Sequence, residues 1–360
     1  MTILTVLLIL VAVVVSYFFA DPAIVWMLQE AHPRLKVLLL WIEWGGNHRR
    51  EIAVVLGIVW VLMGIIQLWL LREKRTKNWL WVVVVVTLLV SFAYPFLSRD
   101  VFSYLFAGKM VECYGVNPYA TLPKVFFEQD LWLRFTHWID AKYVYGPMAL
   151  FFSWLPVKII GCQRFIVNFF AYKLFNWLIF VITGCVWWRK AKDKNLVLAA
   201  WFLNPFLLTE WLINGHNDLL MVSFWLLSWW GLKKSRWWSA VLYVVSIMTK
   251  YVSVGLFWMR WWPDRYLEIT MKVVLVIGMF LLAVKSGNPW YYSWIYMILP
   301  LVTLKRKTWI VILGFQLYLL LTYLGFVVTK GWERVALVEM FGLIPYLVPV
   351  LIVLDERAER

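Results

Sequence analysis

The sequence predicts an all-α polytopic membrane protein, built as a bundle of about 10–12 transmembrane helices. The chain is 63% hydrophobic and only 15% charged. Apolar runs of the roughly 20 residues needed to cross a bilayer recur along its whole length. Its 27 Trp and 17 Tyr residues suit the interfacial belts in which amphipathic rings lie at headgroup depth. We therefore expect one integral membrane domain over residues 1–360.

The apolar runs define the expected spans. The N-terminal run lacks the basic start and the small-residue cleavage site of a signal peptide, so we expect it to be a retained first helix. The spans are expected near residues 2–19, 52–71, 79–97, 166–188, 195–213, 217–232, 267–284, 290–304, 309–328 and 337–354.

The basic loops predict the orientation, because Lys and Arg concentrate in the short cytoplasmic loops of membrane proteins. One arrangement places every dense basic cluster on the cytoplasmic side. Residues 145–161 then stay at the outer surface as an interfacial helix, and residues 237–259 form a short hairpin around Lys250. Both termini are cytoplasmic in this arrangement. The clusters are residues 72–77, 189–194, 233–236 and 305–307.

The charge and cysteine content exclude other classes. The loops explain the formal charge of +15 better than nucleic-acid binding does, because no basic face with base-reading residues is visible. Cys113, Cys162 and Cys185 are too few and too scattered for a disulfide framework or a metal cluster.

The same topology gathers the unusual polar groups at the outer face. Residues 98–146 form an extracytoplasmic loop that begins with Arg99 and Asp100. The segment NGHND (214–218), Lys250 and the segment KSGNPWYYSW (285–294) meet the same face. Because these segments are far apart in sequence, their convergence predicts a functional site.

Several of these residues allow both a structural and a chemical interpretation. Asp100 either marks a helix end in water or serves as a reactive carboxylate, and both roles are compatible with capping a helix. His216 and Asp218 flank Asn217 and either form a polar turn or bind a metal, a phosphate or a sugar hydroxyl. Lys250 lies in an apolar segment, where it either snorkels to the interface or binds phosphate as a point charge.

Aromatic residues and turns complete the candidate set. Trp290 and Tyr291 offer flat surfaces for sugars or polyprenyl chains, although belt aromatics look the same in a sequence. GVNPY (115–119) is a turn, and YGP (145–147) is a helix start with Pro at the first position. Nucleotide-binding motifs such as the Walker A and dinucleotide fingerprints are absent from the sequence, which favours a lipid-linked substrate at the outer face.

In this order, the segments resemble those of bacterial polyprenyl-phosphate-mannose-dependent α-mannosyltransferases, which are integral glycosyltransferases of the GT-C fold. The resemblance covers about residues 79–304. It rests on SRDVFSYLFAGKMVECYGVNPY, YGPMALFFSWL, LNPFLLTEWLINGHNDLLMV, MTKYVSVGLF and NPWYYSWIYMILPLV.

The resemblance implies transfer of a hexose, with mannose as the expected sugar, from a polyprenyl-phosphate donor to a glycan or glycolipid acceptor at the outer face of the cell membrane. It implies that Asp100 is the catalytic base or positions the acceptor. Arg99 is the second catalytic candidate, and it pairs either with Asp100 or with the donor phosphate. A divalent metal is left open, with Asp100, His216 and Asp218 as its candidate ligands. The residues expected to bind donor or substrate are Tyr104, Asn117, Tyr119, Tyr145, His216, Asn217, Asp218, Lys250, Trp290 and Tyr291.

Two other functions fit a polytopic protein. A transporter or flippase of a lipid-linked or small-molecule substrate would place polar residues near the membrane midplane on broken helices. A scaffold subunit of an envelope complex would need no clustered His, Asp and Lys. The concentration of candidate residues at one face favours the enzyme.

Overall fold

The computed structural model describes residues 2–24, 36–73, 80–232, 234–261, 263–285, 288–331 and 343–357. These residues form helices, turns and loops, and none of them belongs to a β-strand. The predicted all-α membrane class is therefore confirmed.

The helices are numbered here in chain order. They are α1 (Thr2–Tyr17), α2 (Lys36–Asn47), α3 (Arg49–Arg72), α4 (Leu80–Ser91), α5 (Asp100–Tyr114), α6 (Pro147–Ile160), α7 (Phe165–Lys190), α8 (Lys194–Ile213), α9 (Asp218–Gly231), α10 (Arg236–Thr249), α11 (Asp264–Lys285), α12 (Arg306–Thr329) and α13 (Ile344–Arg357). Short 3₁₀ helices span Pro123–Phe126, Leu131–Phe135, Tyr251–Trp261 and Pro289–Met297.

Five helices in the described part of the chain are long and apolar enough to cross a membrane, namely Arg49–Arg72, Phe165–Lys190, Lys194–Ile213, Tyr266–Val284 and Arg306–Thr329. Other expected spans are shorter. The span expected at 217–232 is the 14-residue α9, and the one at 290–304 is largely 3₁₀ helix. The span expected at 337–354 lies partly outside the described residues.

Helix α3 shows which face meets lipid. Val54, Ile58 and Ile65 are 62%, 54% and 55% exposed, and they recur at helical spacing along one side. Leu56 and Met63, on the opposite side, are buried. An apolar stripe exposed over a whole helix would be unfavourable in water, so this face is suited to the hydrocarbon of a bilayer.

Helix α8 is broken in its middle at Asn204-Pro205, and π-helical turns lie on each side of the break. The Asn204 side chain compensates for the break. It accepts a hydrogen bond from Phe206 N and donates to Tyr296 Oη at 2.6 Å and to Gln316 Oε1 at 2.7 Å. The bulged helix is almost fully buried in the bundle, and its C-terminal end carries the segment 214–218.

The loop 98–146 packs as a small helical layer on one end of the bundle, over an apolar core that it shares with α6 and the start of α7. A disulfide joins Cys113, near the end of α5, to Cys162, which follows α6. The low number of cysteines had argued against a disulfide framework, and a single bridge exists instead. A buried ion pair between Lys109 Nζ and Asp130 Oδ2, 2.6 Å apart, further stabilises the loop.

Candidate active site

A small cavity of about 260 Å³ brings together most of the segments that the sequence placed at one face. Its walls come from the start of α5, the loop before α6, the 214–218 turn, the end of α10 and the 3₁₀ helix Pro289–Met297. Predicted residues that line it are Asp100, Tyr145, His216, Asp218, Lys250, Trp290 and Tyr291.

Asp100 is the first residue of α5 and is half-buried. The Trp138 indole Nε1 donates a hydrogen bond of 2.8 Å to its Oδ1, and its own backbone N–H donates to Ser98 Oγ. Among the described residues, Asp100 has no ion-pair partner, and Arg99 does not bind it. One oxygen of the Asp100 carboxylate is therefore held by Trp138, and the other is available to a substrate.

Asp218 and Lys250 form a buried ion pair at the side of the cavity. Lys250 Nζ lies 2.7 Å from Asp218 Oδ1, and the Trp294 indole donates a hydrogen bond to the same oxygen. The ammonium also lies over the Tyr145 ring, 5.1 Å from its centroid. The charge of Lys250 is thus already balanced, in an aromatic setting that suits the apolar faces and hydroxyls of a sugar.

The backbone beside Tyr145 approaches α10 very closely. Gly146 N donates a hydrogen bond to Thr249 O at 3.1 Å, and a Cβ at Gly146 would lie 2.0 Å from Met248 O. Only glycine fits this contact. It explains how YGP (145–147) and the Thr249–Lys250 segment come to form one wall.

His216 is positioned by Glu210, a residue that the sequence reading missed. His216 Nδ1 lies 3.1 Å from Glu210 Oε2, and Tyr323 Oη donates a 2.5 Å hydrogen bond to Glu210 Oε1. Burial alone would lower the pKa of His216, but the Glu210 carboxylate, together with the more distant Asp100 and Asp218 carboxylates, outweighs burial and raises the pKa above the ordinary imidazole value. The signal in the sequence was a carboxylate within an expected span, which is costly without a partner.

Four of the residues predicted to bind donor or substrate do not line the small cavity. Tyr104 is buried beneath it and contacts the Tyr145 ring edge-on at 5.0 Å. Tyr119 Oη donates to Tyr145 O at 2.9 Å, and the Asn117 side chain accepts from Tyr119 N within the turn. Asn217 is buried, and neither of its side-chain polar atoms has a hydrogen-bond partner among the described residues. Tyr104, Asn117 and Tyr119 therefore support the wall at Tyr145 rather than line the cavity.

A large cavity of about 460 Å³ adjoins the small one, and Asp100 and Trp290 line both. Its polar lining includes Arg49 at the start of α3, Arg99, and Lys330 at the end of α12. Its apolar lining is mostly aromatic: Phe18, Phe19, Phe96 and Phe326.

Lys173 was also missed, and it lies below the two segments that carry the site. It is 1% exposed, in the middle of α7. Its Nζ donates to Ile213 O at 3.0 Å and to Ala93 O. Ala93 precedes the Arg99–Asp100 segment, and Ile213 precedes the 214–218 turn. The Lys173 side chain thus links the backbone just before each of these two segments.

The three side chains expected as candidate metal ligands have other partners in the structure. Within the described ranges, no group of three His, Cys, Asp or Glu side chains converges as a metal site would require. Asp218 is engaged by Lys250 and Trp294, and His216 by Glu210. The predicted set of Asp100, His216 and Asp218 does not form a ready ligand shell.

Comparison with known proteins agrees with the resemblance read from the motifs. An alpha-(1->6)-mannopyranosyltransferase A of Corynebacterium glutamicum is 30% identical over 136 residues, which is 36% of this chain and 27% of that relative. The matched part thus spans about a quarter of the relative's length. No solved structure matches the chain. The profile of the family described as alpha-(1->6)-mannopyranosyltransferase, N-terminal domain, matches residues 6–262, and the chain belongs to that family.

Proposed function

We propose that the protein transfers one mannosyl residue from polyprenyl-phosphate-mannose to a hydroxyl group of an envelope glycan or glycolipid, at the outer face of the cell membrane. The observation that carries this proposal is the position of Asp100 in the wall shared by two cavities. A transferase needs a reactive group between a donor and an acceptor. Family membership and the name of the corynebacterial relative support mannose as the sugar.

In the proposed reaction, the acceptor hydroxyl oxygen attacks the anomeric carbon of the donor sugar. A bond forms between these two atoms, and the hydroxyl proton passes to the Asp100 carboxylate, which acts as general base. The bond between the anomeric carbon and the phosphate oxygen breaks. Its electron pair stays with polyprenyl phosphate, which leaves. Trp138 holds Oδ1 of Asp100, so the other carboxylate oxygen can receive the proton.

The proposed membrane orientation has two supports. The basic clusters 189–194 and 305–307 lie at the ends of α7 and α12 opposite to the site, as expected if those ends are cytoplasmic. The Cys113–Cys162 disulfide lies in the loop layer at the site end of the bundle. Disulfides persist in oxidising compartments, which favours an extracytoplasmic location for this end.

A transfer assay tests the proposed function. The full chain, purified into lipid nanodiscs, is incubated with radiolabelled polyprenyl-phosphate-mannose and with mannose-containing glycans and glycolipids from a bacterial envelope. We expect label to move to the acceptor and polyprenyl phosphate to be released in equal amount. Absence of any mannosylated product, together with movement of intact donor across sealed vesicles that contain the protein, would favour a flippase and overturn the proposal.

A further inference from the structure

We propose that the large cavity binds the phosphate and the first isoprenoid units of the donor, with Arg49 and Arg99 as the phosphate ligands. This inference rests on the proposed function, because it names where that function's lipid donor is held. It competes with the expectation from the sequence that Lys250 binds the phosphate, and the same experiment decides between the two.

The cations of the large cavity lack the partners that surface cations usually find. Among the described residues, Arg49, Arg99 and Lys330 form no ion pair. The Nε of Arg49 is buried without a hydrogen-bond partner in the described part of the chain, although its guanidinium lies over the Phe19 ring at 5.2 Å. A buried donor without an acceptor is unfavourable, and an anion would satisfy it.

The carboxylates at the same cavity balance only part of this positive charge, and their nearest hydrogen-bond donors are neutral groups. Asp21 lines the cavity, but its Oδ1 accepts from Ala23 N at 2.9 Å within its own turn. Asp100 accepts from Trp138. The cavity is thus lined by three cationic side chains and two carboxylates, which leaves an excess of one positive charge. Arginine suits a phosphate because its planar guanidinium donates two parallel hydrogen bonds.

Lys250 is a weaker candidate for the phosphate. Its ammonium lies 2.7 Å from Asp218 Oδ1, and the Asp218 carboxylate is buried. A phosphate placed beside this pair would face the Asp218 carboxylate as well as the ammonium. The pair is better matched to neutral sugar hydroxyls, which both donate and accept hydrogen bonds.

The apolar lining of the large cavity suits a lipid tail. Phe18, Phe19, Phe96 and Phe326 form its aromatic part, and Ile42 adds an aliphatic contact. The neighbouring surface of α2 is apolar and exposed at Leu40 and Trp41, so the cavity is close to a face suited to hydrocarbon. A water-soluble phosphate would gain nothing from this lining, whereas an isoprenoid chain would bury apolar area against it.

The placement also satisfies the geometry of transfer. With the phosphate at Arg49 and Arg99, the attached sugar extends toward Asp100 and Trp290, the residues shared by both cavities. The acceptor then approaches through the small cavity, past Tyr145 and Trp294. Donor and acceptor meet at Asp100 from opposite sides.

Direct binding of isoprenoid phosphate tests this inference independently of transfer. The full chain in zwitterionic nanodiscs is titrated with decaprenyl phosphate, with phosphatidylglycerol and with inorganic phosphate. Variants are Arg49→Gln, Arg99→Gln, Lys250→Gln and the control Arg50→Gln, which removes an adjacent arginine that is exposed and does not line the cavity. We expect Arg49→Gln and Arg99→Gln each to weaken decaprenyl phosphate binding about tenfold, and Arg50→Gln and Lys250→Gln to leave it within about twofold.

Two results would overturn the inference. One is unchanged affinity in both arginine variants, and weakened affinity in Lys250→Gln would then assign the phosphate to Lys250. The other is equal binding of phosphatidylglycerol or inorganic phosphate, which would indicate a general anion site. If the wild-type protein transfers mannose while both arginine variants bind decaprenyl phosphate normally, the proposed donor site is wrong and the proposed function is still supported. If binding depends on the arginines but the wild-type protein transfers no mannose, the donor site is supported and the proposed function is wrong.

Photocrosslinking provides a measurement that needs no variant to fold. A benzophenone-labelled isoprenoid phosphate, irradiated with the wild-type protein, should label peptides that contain Phe18 and Phe19, Ile42, or Phe326. Labelling confined to peptides with Tyr145 or Trp294 would contradict the placement.

Discussion

Lys250 Nζ lies 2.7 Å from Asp218 Oδ1, although 32 positions separate the two residues in the chain. The contact joins the end of α10 to the start of α9. It connects two polar segments that each looked out of place in an apolar sequence, and it balances the charge of both.

Asp218→Asn should destabilise the protein, because it leaves the mostly buried Lys250 ammonium without a counter-charge. Removing one partner of a buried pair costs about 3 kcal/mol or more. The measurement is the thermal unfolding midpoint of purified protein in detergent. The double variant with Lys250→Gln should recover much of the loss. Asp140→Asn, which removes the exposed partner of Lys124, should cost under about 1 kcal/mol. A normal midpoint for Asp218→Asn would contradict this prediction.

Asp100→Asn should lower turnover about 10²–10⁴-fold, the usual contribution of a general base. The amide keeps the shape of the carboxylate, and its oxygen can still accept the Trp138 hydrogen bond. Turnover is measured by mannose transfer in nanodiscs. Asp140→Asn, in the same loop, serves as the matched control and should keep its activity. Near-normal turnover in well-folded Asp100→Asn would remove Asp100 from the role of base.

Titration of the His216 ring should make the thermal unfolding midpoint depend on pH. Because Glu210 raises the pKa of His216 in the folded chain above the unfolded value of 6.5, the protonated ring stabilises the fold most fully below that value. This contribution is lost as the pH rises through the raised pKa. We expect the unfolding midpoint of the wild type to fall across this window relative to that of His216→Gln.

Glu210→Gln provides the matched test of the cause. The amide removes the charge that raises the pKa of His216, so burial should dominate and the ring should lose its proton at lower pH. The difference in midpoint from His216→Gln should then no longer change with pH above the ordinary imidazole range. If the unfolding midpoint depended on pH in the same way in the wild type and in Glu210→Gln, Glu210 would not be the cause of the raised His216 pKa.

Lys173→Met should reduce both stability and turnover. The variant leaves the Ala93 and Ile213 carbonyls without their shared donor, at a cost of about 1–3 kcal/mol for each buried group. The segments that carry Asp100 and His216 should then lose their relative positions. We expect the turnover number to fall while KM for the acceptor changes little, and Lys173→Arg to restore part of the turnover. A lower midpoint with normal turnover would limit Lys173 to a structural role.

The orientation predicts the side from which single cysteines react. In a Cys185→Ser background that keeps the Cys113–Cys162 bridge, cysteine at the exposed position Gln163 should react with an impermeant maleimide added outside intact cells. Cysteine at Lys192, in a basic cluster, should react only after the inner face is opened. The reverse pattern would place the site in the cytoplasm.

Much of the fold and part of the site could be predicted from the sequence. Hydropathy is a local property, so it identified an all-α membrane protein without knowledge of packing. The same logic marked Asp100, His216 and Lys250, since charge within or beside an apolar run needs a reason wherever it occurs. The lengths of the helices were less predictable, because apolar runs such as 217–232 also arise in short helices buried by their neighbours.

By itself, the sequence determined the class of protein, the order of the motifs and the end of the bundle at which most of the polar residues gather. Only the tertiary structure decided which of those charges are already paired. It matched Lys250 with Asp218 and His216 with Glu210, and it left Arg49, Arg99 and Lys330 without ion-pair partners among the described residues. The reason is physical. A charge is balanced by whichever group the packing of distant helices brings within a few ångströms, and the local amino-acid composition does not specify which groups those are.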